Sequence, residues 1–223
     1  MLELLTAGGK RHGVAGNTLN LDFSAITAGA TTFTDLTGKS FSRGGGTASI
    51  VADPGGNYAN FTGDGGFEGS FPANAFENAR VITMEVVFTP TNVPGNTSTY
   101  QSLFESGAAR TPRILGYLHT FNSTNYELWI TGVASNQTLT SAGINGNVKQ
   151  RHRIVHNITA STITITKYNA VTGEVLGTST LGTGTNTIGN NGGTTLSIGA
   201  SWVQTRRFFF VGRIYSMTID VLK

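Results

Sequence analysis

The acidic side chains of this 223-residue chain do not stand in pairs that suit hydrolysis. Retaining glycoside hydrolysis needs an acid and a nucleophile whose carboxyl groups lie about 5 Å apart. Two carboxylates at alternate positions of one strand face the same side of a sheet, but Glu85 and Glu127 each stand alone on their strands. A Gly-x-Ser-x-Gly nucleophile turn is also missing. The sequence therefore predicts no catalytic residues and no enzyme.

Two histidines, His152 and His156, stand four residues apart, which on a helix would place both on one face. On a strand the same spacing separates them by about 13 Å, too far for one metal ion. Because residues 151–158 alternate as a strand does, we expect no metal site here. We interpret His152 as a hydrogen-bonded core or interface residue.

Four side chains with oxygen ligands follow one another in two loops and supply the hard donors that calcium prefers. They are Asp53, Asn57, Asp64 and Glu68. The competing interpretation is that Asp53 and Asp64 cap tight turns beside Pro54-Gly55 and Gly65-Gly66. The sequence predicts no other cofactor, and both interpretations of these loops stay open.

Aromatic side chains with polar neighbours are the candidates for binding a sugar or a partner protein. Trp129 shares its strand phase with Glu127 and Thr131, which favours exposure of its ring on a sheet face or at an interface. The candidate glycan- or partner-binding residues are Trp129, Tyr117, His119, Tyr126 and Trp202. The alternative is that these rings belong to the core.

The composition favours a β-protein with a real core. Glycine makes up 30 of the 223 residues, about 13% against an average near 7%, and charged residues 12% against roughly 25%. Leu, Ile, Val and Phe together form about a quarter of the chain, enough to exclude disorder. The absence of cysteine excludes disulfides and thiolate metal sites. No segment predicts an export signal or a membrane span.

The basic residues form only small clusters, although the formal net charge is +3. These clusters lie at residues 10–12, 149–153 and 206–207. Nucleic-acid binding needs a broad basic face with stacking aromatics, so we expect no nucleic-acid partner. We interpret the clusters as basic residues on exposed strands or loop rims that keep sheet edges from pairing with other chains.

The elements that must position these residues are short antiparallel strands. Residues 81–89 alternate most clearly, and 151–158 with 162–166 predict a hairpin, followed by a second one at residues 171–173. Residues 72–78 could form a single helical turn. Near the end, the apolar phase of Phe208, Phe210, Gly212 and Ile214 slips by one residue around Tyr215 or Ser216, which predicts a β-bulge.

Five pieces of the sequence together resemble one known family. They are LNLDFS, YANFTGDGGFEGSF, RVITMEVVFTPTN, the YQSLFESG strand with the VKQRHRIVHNITASTITITKYN pair, and the closing TLSIGAS and FFFVGRIYSMTID. Their order resembles the concanavalin A-like lectin/glucanase jelly roll, with its laminin-G-like and pentraxin-like modules. The resemblance covers about residues 17–223 and implies an all-β, two-sheet antiparallel jelly-roll sandwich.

Fold alone does not give function, because this sandwich carries lectins, hydrolases and structural modules alike. The uncharged Gly/Thr/Asn/Ser-rich composition, without catalytic acids or an export signal, favours a structural protein of a virus particle, most simply a bacteriophage tail, fibre or capsid-surface component. It would be present in multiple copies or as a homo-oligomer in the virion. A free carbohydrate-binding lectin is the alternative, and a glycoside hydrolase a third.

Residues 1–16 predict an arm separate from the domain at 17–223. They combine a few leucines with paired glycines and basic residues, too short and broken for a core element but suited to ordering on another virion protein. We expect that deleting residues 1–16 leaves a domain that unfolds cooperatively on heating but no longer assembles. Loss of the thermal transition in the truncated protein would contradict this interpretation.

Overall fold

The computed structural model describes residues 19–72, 75–91, 100–106, 114–121, 125–131, 137–139, 147–182, 195–201 and 208–223, and between 114 and 139 it describes the backbone. The predicted arm, residues 1–16, lies outside the described residues. No helix in these ranges is long and apolar enough to cross a membrane.

Two antiparallel sheets contain almost all the described strands, numbered here in chain order. Sheet I has the spatial order β14 (Val175–Gly182), β13 (Thr162–Asn169), β12 (Gln150–Asn157), β7 (Val81–Pro90), β18 (Val211–Leu222), β5 (Tyr58–Thr62) and β4 (Ser49–Val51), with β1 (Leu19–Asp22) also paired to β18. Sheet II has the order β11 (Gln137–Leu139), β10 (Asn125–Thr131), β9 (Ile114–Phe121), β8 (Tyr100–Ser106), β15 (Thr195–Ile198), β6 (Phe67–Ser70), β3 (Ser40–Arg43) and β2 (Thr32–Thr34).

Two smaller pieces complete the architecture. β16 (Ala200–Ser201) pairs with β17 (Phe208–Phe209), and a 3-10 turn spans Phe23–Ala25. Residues 75–79 form hydrogen-bonded turns, where the sequence predicted one helical turn. The structure confirms the predicted all-β, two-sheet antiparallel sandwich.

The core lies between the two sheets and follows the predicted alternation. In β7, Ile82, Met84, Val86 and Phe88 are buried and the residues between them are half-buried on the outer face. Nine phenylalanine side chains are almost completely buried, and several meet edge to face, as Phe61 does with ring centroids 5.8 Å from Phe210. Such a core explains how a cysteine-free chain reaches a stable fold.

The two predicted hairpins and the predicted bulge are present. β12 and β13 pair directly, and β13 turns into β14 through residues 170–174, where the Asn169 side chain accepts hydrogen bonds from the amides of Val171 and Thr172. In β18 the register against β7 shifts between Ile214 and Ser216, so that Tyr215 is the extra residue. The bulge keeps both halves of this strand facing the core.

The KQRHR segment has a different setting from the one expected. It begins β12, which lies between β13 and β7 and is therefore an interior strand. His152 and His156 point into the core, whereas Arg151 and Arg153 are half-buried on the outer face. The interpretation of these arginines as protection for a sheet edge is wrong, because β12 is paired on both sides and has no free edge.

Candidate functional site

The outer face of sheet II carries a row of polar residues across four strands. The register aligns Ser42 of β3 with Glu68 of β6, then with Ser197 of β15 and Glu105 of β8. The neighbouring positions Phe67, Ile198 and Phe104 are buried in the core, so the polar row faces away from it.

An open groove of about 650 Å³ lies at the end of this face, over β2, β3, β6 and the start of β15. Six hydroxyl groups and one carboxylate line it, together with Phe33, Phe41 and Gly69. The polar lining residues are Thr32, Thr34, Ser40, Ser42, Ser70, Thr195 and Glu68. Hydroxyls both donate and accept hydrogen bonds, and a carboxylate accepts several, so the groove matches a ligand rich in hydroxyl groups.

The local sequence explains why hydroxyls line this groove. β2 reads Thr-Phe-Thr and β3 reads Ser-Phe-Ser-Arg, so Phe33 and Phe41 enter the core while their neighbours point outward. The two rings stack with centroids 5.6 Å apart. A Cβ at Gly69 would lie 2.4 Å from the Phe41 ring, so only glycine lets this ring lie over β6. The alternation of hydroxyls with phenylalanines along β2 and β3 is the sequence signal that could have identified these residues.

Glu68 lies against the loop that follows β3. A Cβ on Gly44 would come within 2.9 Å of the Glu68 carboxyl group, so the absence of a side chain at Gly44 makes room for it. The amide of Gly44 donates to the carbonyl of Gly66 at 2.9 Å, which ties this loop to the one before β6. Neither Gly44 nor the groove hydroxyls were among the predicted site residues.

Three of the predicted aromatic positions fall on the same outer face as the groove. The register aligns Glu105 with Leu115, and from there Tyr117 and His119 alternate in phase along β9. Tyr117 is aligned with Trp129 of β10, and His119 with Glu127. Positions 117, 119 and 129 therefore share the face that carries Glu68.

The other two predicted aromatic residues do not join them within the described residues. Tyr126 is aligned with Thr120, in the opposite phase from Trp129. Trp202 lies outside the described residues. Contact of any of the five with a glycan or a partner stays a prediction.

The predicted calcium ligands do not come together. Within the described residues, no group of three or more His, Asp or Glu side chains is arranged to hold a metal ion. Asp53 accepts a hydrogen bond from the amide of Gly55, which is the competing turn-capping role. Asn57 donates from its side-chain amide to the carbonyl of Ile26 at 2.8 Å, and Glu68 lines the groove.

Asp64 fastens two loops beside the groove instead. Its carboxylate accepts hydrogen bonds from the amide and hydroxyl of Thr47 at 3.1 and 2.8 Å and from the hydroxyl of Thr62 at 2.8 Å. The hydroxyl of Thr47, followed by its amide and then the hydroxyl of Thr62, lowers the pKa of Asp64 below its usual value. The charged form is therefore the one that joins the loops.

Glu85 and Glu127, which stand alone on their strands in the sequence, do not meet in the fold either. Glu85 lies on β7 of sheet I, and Glu127 lies on β10 of sheet II, so they stand on different sheets. Glu68 and Glu105 share one face across Ser197, a pairing of separate strands that sequence spacing could not indicate. Glu105 is only 4% exposed, which leaves little of its carboxylate for a substrate.

The sequence matches no family model and no curated protein sequence. Solved structures resemble the fold at low sequence identity. A domain of the tailspike protein 2 of bacteriophage CBA120, described as enzymatically active, matches with a TM-score of 0.60 and 12% identity over 91% of this chain and 31% of that one. This chain thus spans about a third of the tailspike structure.

Two further likenesses come from bacteria. The binding domain of botulinum neurotoxin DC, in complex with SialylT, matches with a TM-score of 0.58 and 11% identity over 90% of this chain and 50% of that one. A protein of unknown function from Shewanella oneidensis MR-1 matches with a TM-score of 0.54 and 12% identity over 92% and 85% of the two chains. At these identities the likeness shows the shared β-sandwich fold and nothing narrower.

Proposed function

We propose that this chain is a non-enzymatic structural and interaction protein of a bacteriophage particle, a tail, fibre or capsid-surface component that contacts host-surface glycans. The observation that carries the proposal is the groove over β2, β3 and β6, with its six hydroxyls around Glu68. Sugars present alternating hydroxyl donors and acceptors, and a groove of this chemistry satisfies them without an apolar anchor. The predicted aromatic positions 117 and 129 lie in the same phase further across sheet II, beyond the buried Ser197 and Glu105.

The structural likenesses support the setting of this proposal. A phage tailspike and a toxin binding domain use the same sandwich architecture. In this proposal the sandwich is concanavalin A-like with a laminin-G-like closing motif, the protein is part of the virion in several copies, and its arm at residues 1–16 binds other virion proteins. The weakly charged, cysteine-free composition supports a particle component rather than a secreted enzyme.

A free lectin is the second candidate, because the same groove would serve a glycan-binding protein that is not built into a particle. The particle component and the free lectin differ in where the protein is found. We expect it in fixed stoichiometry in purified phage particles. Its absence from particles, with glycan binding retained, would favour the free lectin.

Removing the polar groups of the groove should weaken glycan binding. A hydrogen bond contributes about 0.5 to 1.5 kcal/mol, and one to a charged group about twice that. We therefore expect the double variant Glu68→Gln with Thr34→Val to weaken binding by about 10-fold or more, measured by calorimetry with the best ligand from a neutral-glycan array.

Thr178→Val is the matched control for this experiment. Thr178 is exposed on β14 of sheet I, and its replacement removes one hydroxyl far from the groove. We expect this variant to bind as the wild type does. Unchanged affinity of the groove variant, or an equal loss in the control, would contradict the proposed site.

A further inference from the structure

The outer face of sheet I carries a second surface of different chemistry. At one end of this face, three cations and three tyrosines alternate across the strands. We call this surface the basic strip, and it consists of Lys149, Arg151, Arg213, Tyr58, Tyr168 and Tyr215. The strip lies on the side of the molecule opposite the hydroxyl-lined groove, because each surface is the outer face of its own sheet.

Each cation of the basic strip lies over an aromatic ring. The ammonium of Lys149 is 3.8 Å from the ring centre of Tyr215, and the guanidinium carbon of Arg151 is 4.1 Å from that of Tyr168. Arg213 lies 4.7 Å from the ring centre of Tyr58. Cation–π contact holds each charge in place over its ring.

The strand register makes these residues one continuous surface. Arg151 is aligned with Tyr168 on one side and with Val87 of β7 on the other. Tyr215 is the bulged residue of β18 next to Ser216, which is aligned with Val87, and its ring is 5.7 Å from that of Tyr58 on β5. Five strands at about 4.8 Å spacing make the strip roughly 19 Å long.

The strip is unbalanced in charge. None of its three cations forms an ion pair within the part of the chain that the structure describes. Glu85 lies one row further along the face, aligned with Arg153.

We propose that the basic strip binds an acidic polysaccharide, whose carboxylate or sulfate groups meet Lys149, Arg151 and Arg213 in turn. Guanidinium groups donate paired hydrogen bonds to such planar or tetrahedral anions. Arg151 on β12 and Arg213 on β18 lie two strand spacings apart, about 10 Å, which suits an extended chain with repeated charges. The half-exposed threonines around it, such as Thr89, supply hydroxyls for the sugar rings between the charges.

Two other kinds of polyanion fit the strip less well. Single-stranded nucleic acid binds through bases stacked on free aromatic faces, but here a cation occupies a face of each tyrosine. Protein partners need a buried apolar or aromatic anchor, and Tyr58, at 8% exposure, is already covered by its neighbours. Because the strip offers cations but neither free ring faces for bases nor an open anchor for a protein, it favours the acidic polysaccharide.

The test measures the binding of the full chain to dextran sulfate, hyaluronan and uncharged dextran by calorimetry at several salt concentrations. We expect binding to at least one of the acidic polymers and none to dextran. Arg151→Gln and Arg213→Gln should each weaken binding about 3- to 10-fold at low salt, and each should make the affinity less dependent on salt concentration. Arg151→Lys keeps the charge and should retain most of the binding.

Arg80→Gln is the matched control, because Arg80 is exposed and lies outside the strip. We expect it to bind the acidic polymer as the wild type does, and unchanged melting temperatures will show that the variants are folded. An equal loss in Arg80→Gln, or tighter binding of poly(dT) or polyglutamate at equal charge, would overturn the proposal. This test is independent of the proposed function, because the strip variants should leave neutral-glycan binding in the groove unchanged.

Discussion

Replacing Gly212 with valine is expected to lower the free energy of unfolding by about 3 to 5 kcal/mol. A Cβ at this position would lie 2.3 Å from the carbonyl oxygen of Thr89 and 2.9 Å from the ring of Phe210. The backbone φ of +142° adds strain for any side chain, and above all for a β-branched one. The neighbouring strand β7 cannot move away without breaking its ladder with β18. Urea denaturation measures the loss.

Arg213→Ala is the control for this prediction. Arg213 is the next residue of β18, is exposed, and points to the outer face, where its guanidinium lies over Tyr58. Loss of that contact should cost less than about 1 kcal/mol. Equal destabilisation by the two variants would mean that the alternation assigned to this part of β18 is wrong.

Gly212 illustrates what the sequence could predict. A glycine in the apolar phase beside Phe210, just before a slip of that phase, indicates a close approach of another backbone or ring together with a bulge. The structure contains both, with Thr89 and Phe210 beside the glycine and the register shift at Tyr215. The alternation of side chains between the two faces of a strand is a local property of the backbone. It could therefore be predicted from neighbouring residues alone.

The groove could not be predicted in the same way. Its lining comes from Thr32 to Thr195, residues far apart in the chain that the order of strands in sheet II brings together. Alternation predicts which side of a strand a residue takes, but not which strand lies beside it. The same limit applies to the basic strip, where Arg151 and Tyr168 meet across β12 and β13 and Arg213 joins them from the end of the chain.

Calcium binding by Asp53, Asn57, Asp64 and Glu68 stays a prediction, but the contacts of these residues show that closeness along the chain need not be closeness in space. Asp53 and Asp64 flank β5, and each binds to groups of its own turn or of a neighbouring loop. Asp64 reaches Thr47, seventeen residues away, rather than Glu68, four residues away, because a strand carries Glu68 to the outer face. Short polar side chains satisfy backbone donors first.

Mild acid is expected to destabilise the protein through two core histidines. His152 is fully buried between Val86 of β7 and Lys167 of β13, and its ring meets that of Phe88 at 5.0 Å. Burial, with a smaller contribution from the charge of Lys167, lowers the pKa of His152 to about 3. Burial lowers the pKa of His156 to about 4. Both are therefore neutral in the folded protein above these values.

The unfolded chain protonates the same histidines near pH 6.5, so it binds more protons than the folded protein in the interval below that value. Stability is complete above pH 6.5 and falls as the pH decreases toward the folded pKa values. Each histidine contributes about 1.4 kcal/mol per pH unit, and we expect a combined loss of roughly 3 to 5 kcal/mol between pH 7 and about 4.5. Asp64 acts in the same direction only at lower pH, because its pKa is already below the usual value.

The dependence of stability on pH identifies the histidines. Urea unfolding at a series of pH values between 7 and about 4.5 should give a steep slope for the wild type and a shallower one for His156→Leu, which lacks one titrating group. Ile165→Val is the control: it removes a buried methylene of β13 aligned with Ile154, and should cost about 1 kcal/mol at every pH without changing the slope. If stability depended on pH as steeply in His156→Leu as in the wild type, other groups would be taking up the protons. The burial of neutral His156 would then not limit stability in acid.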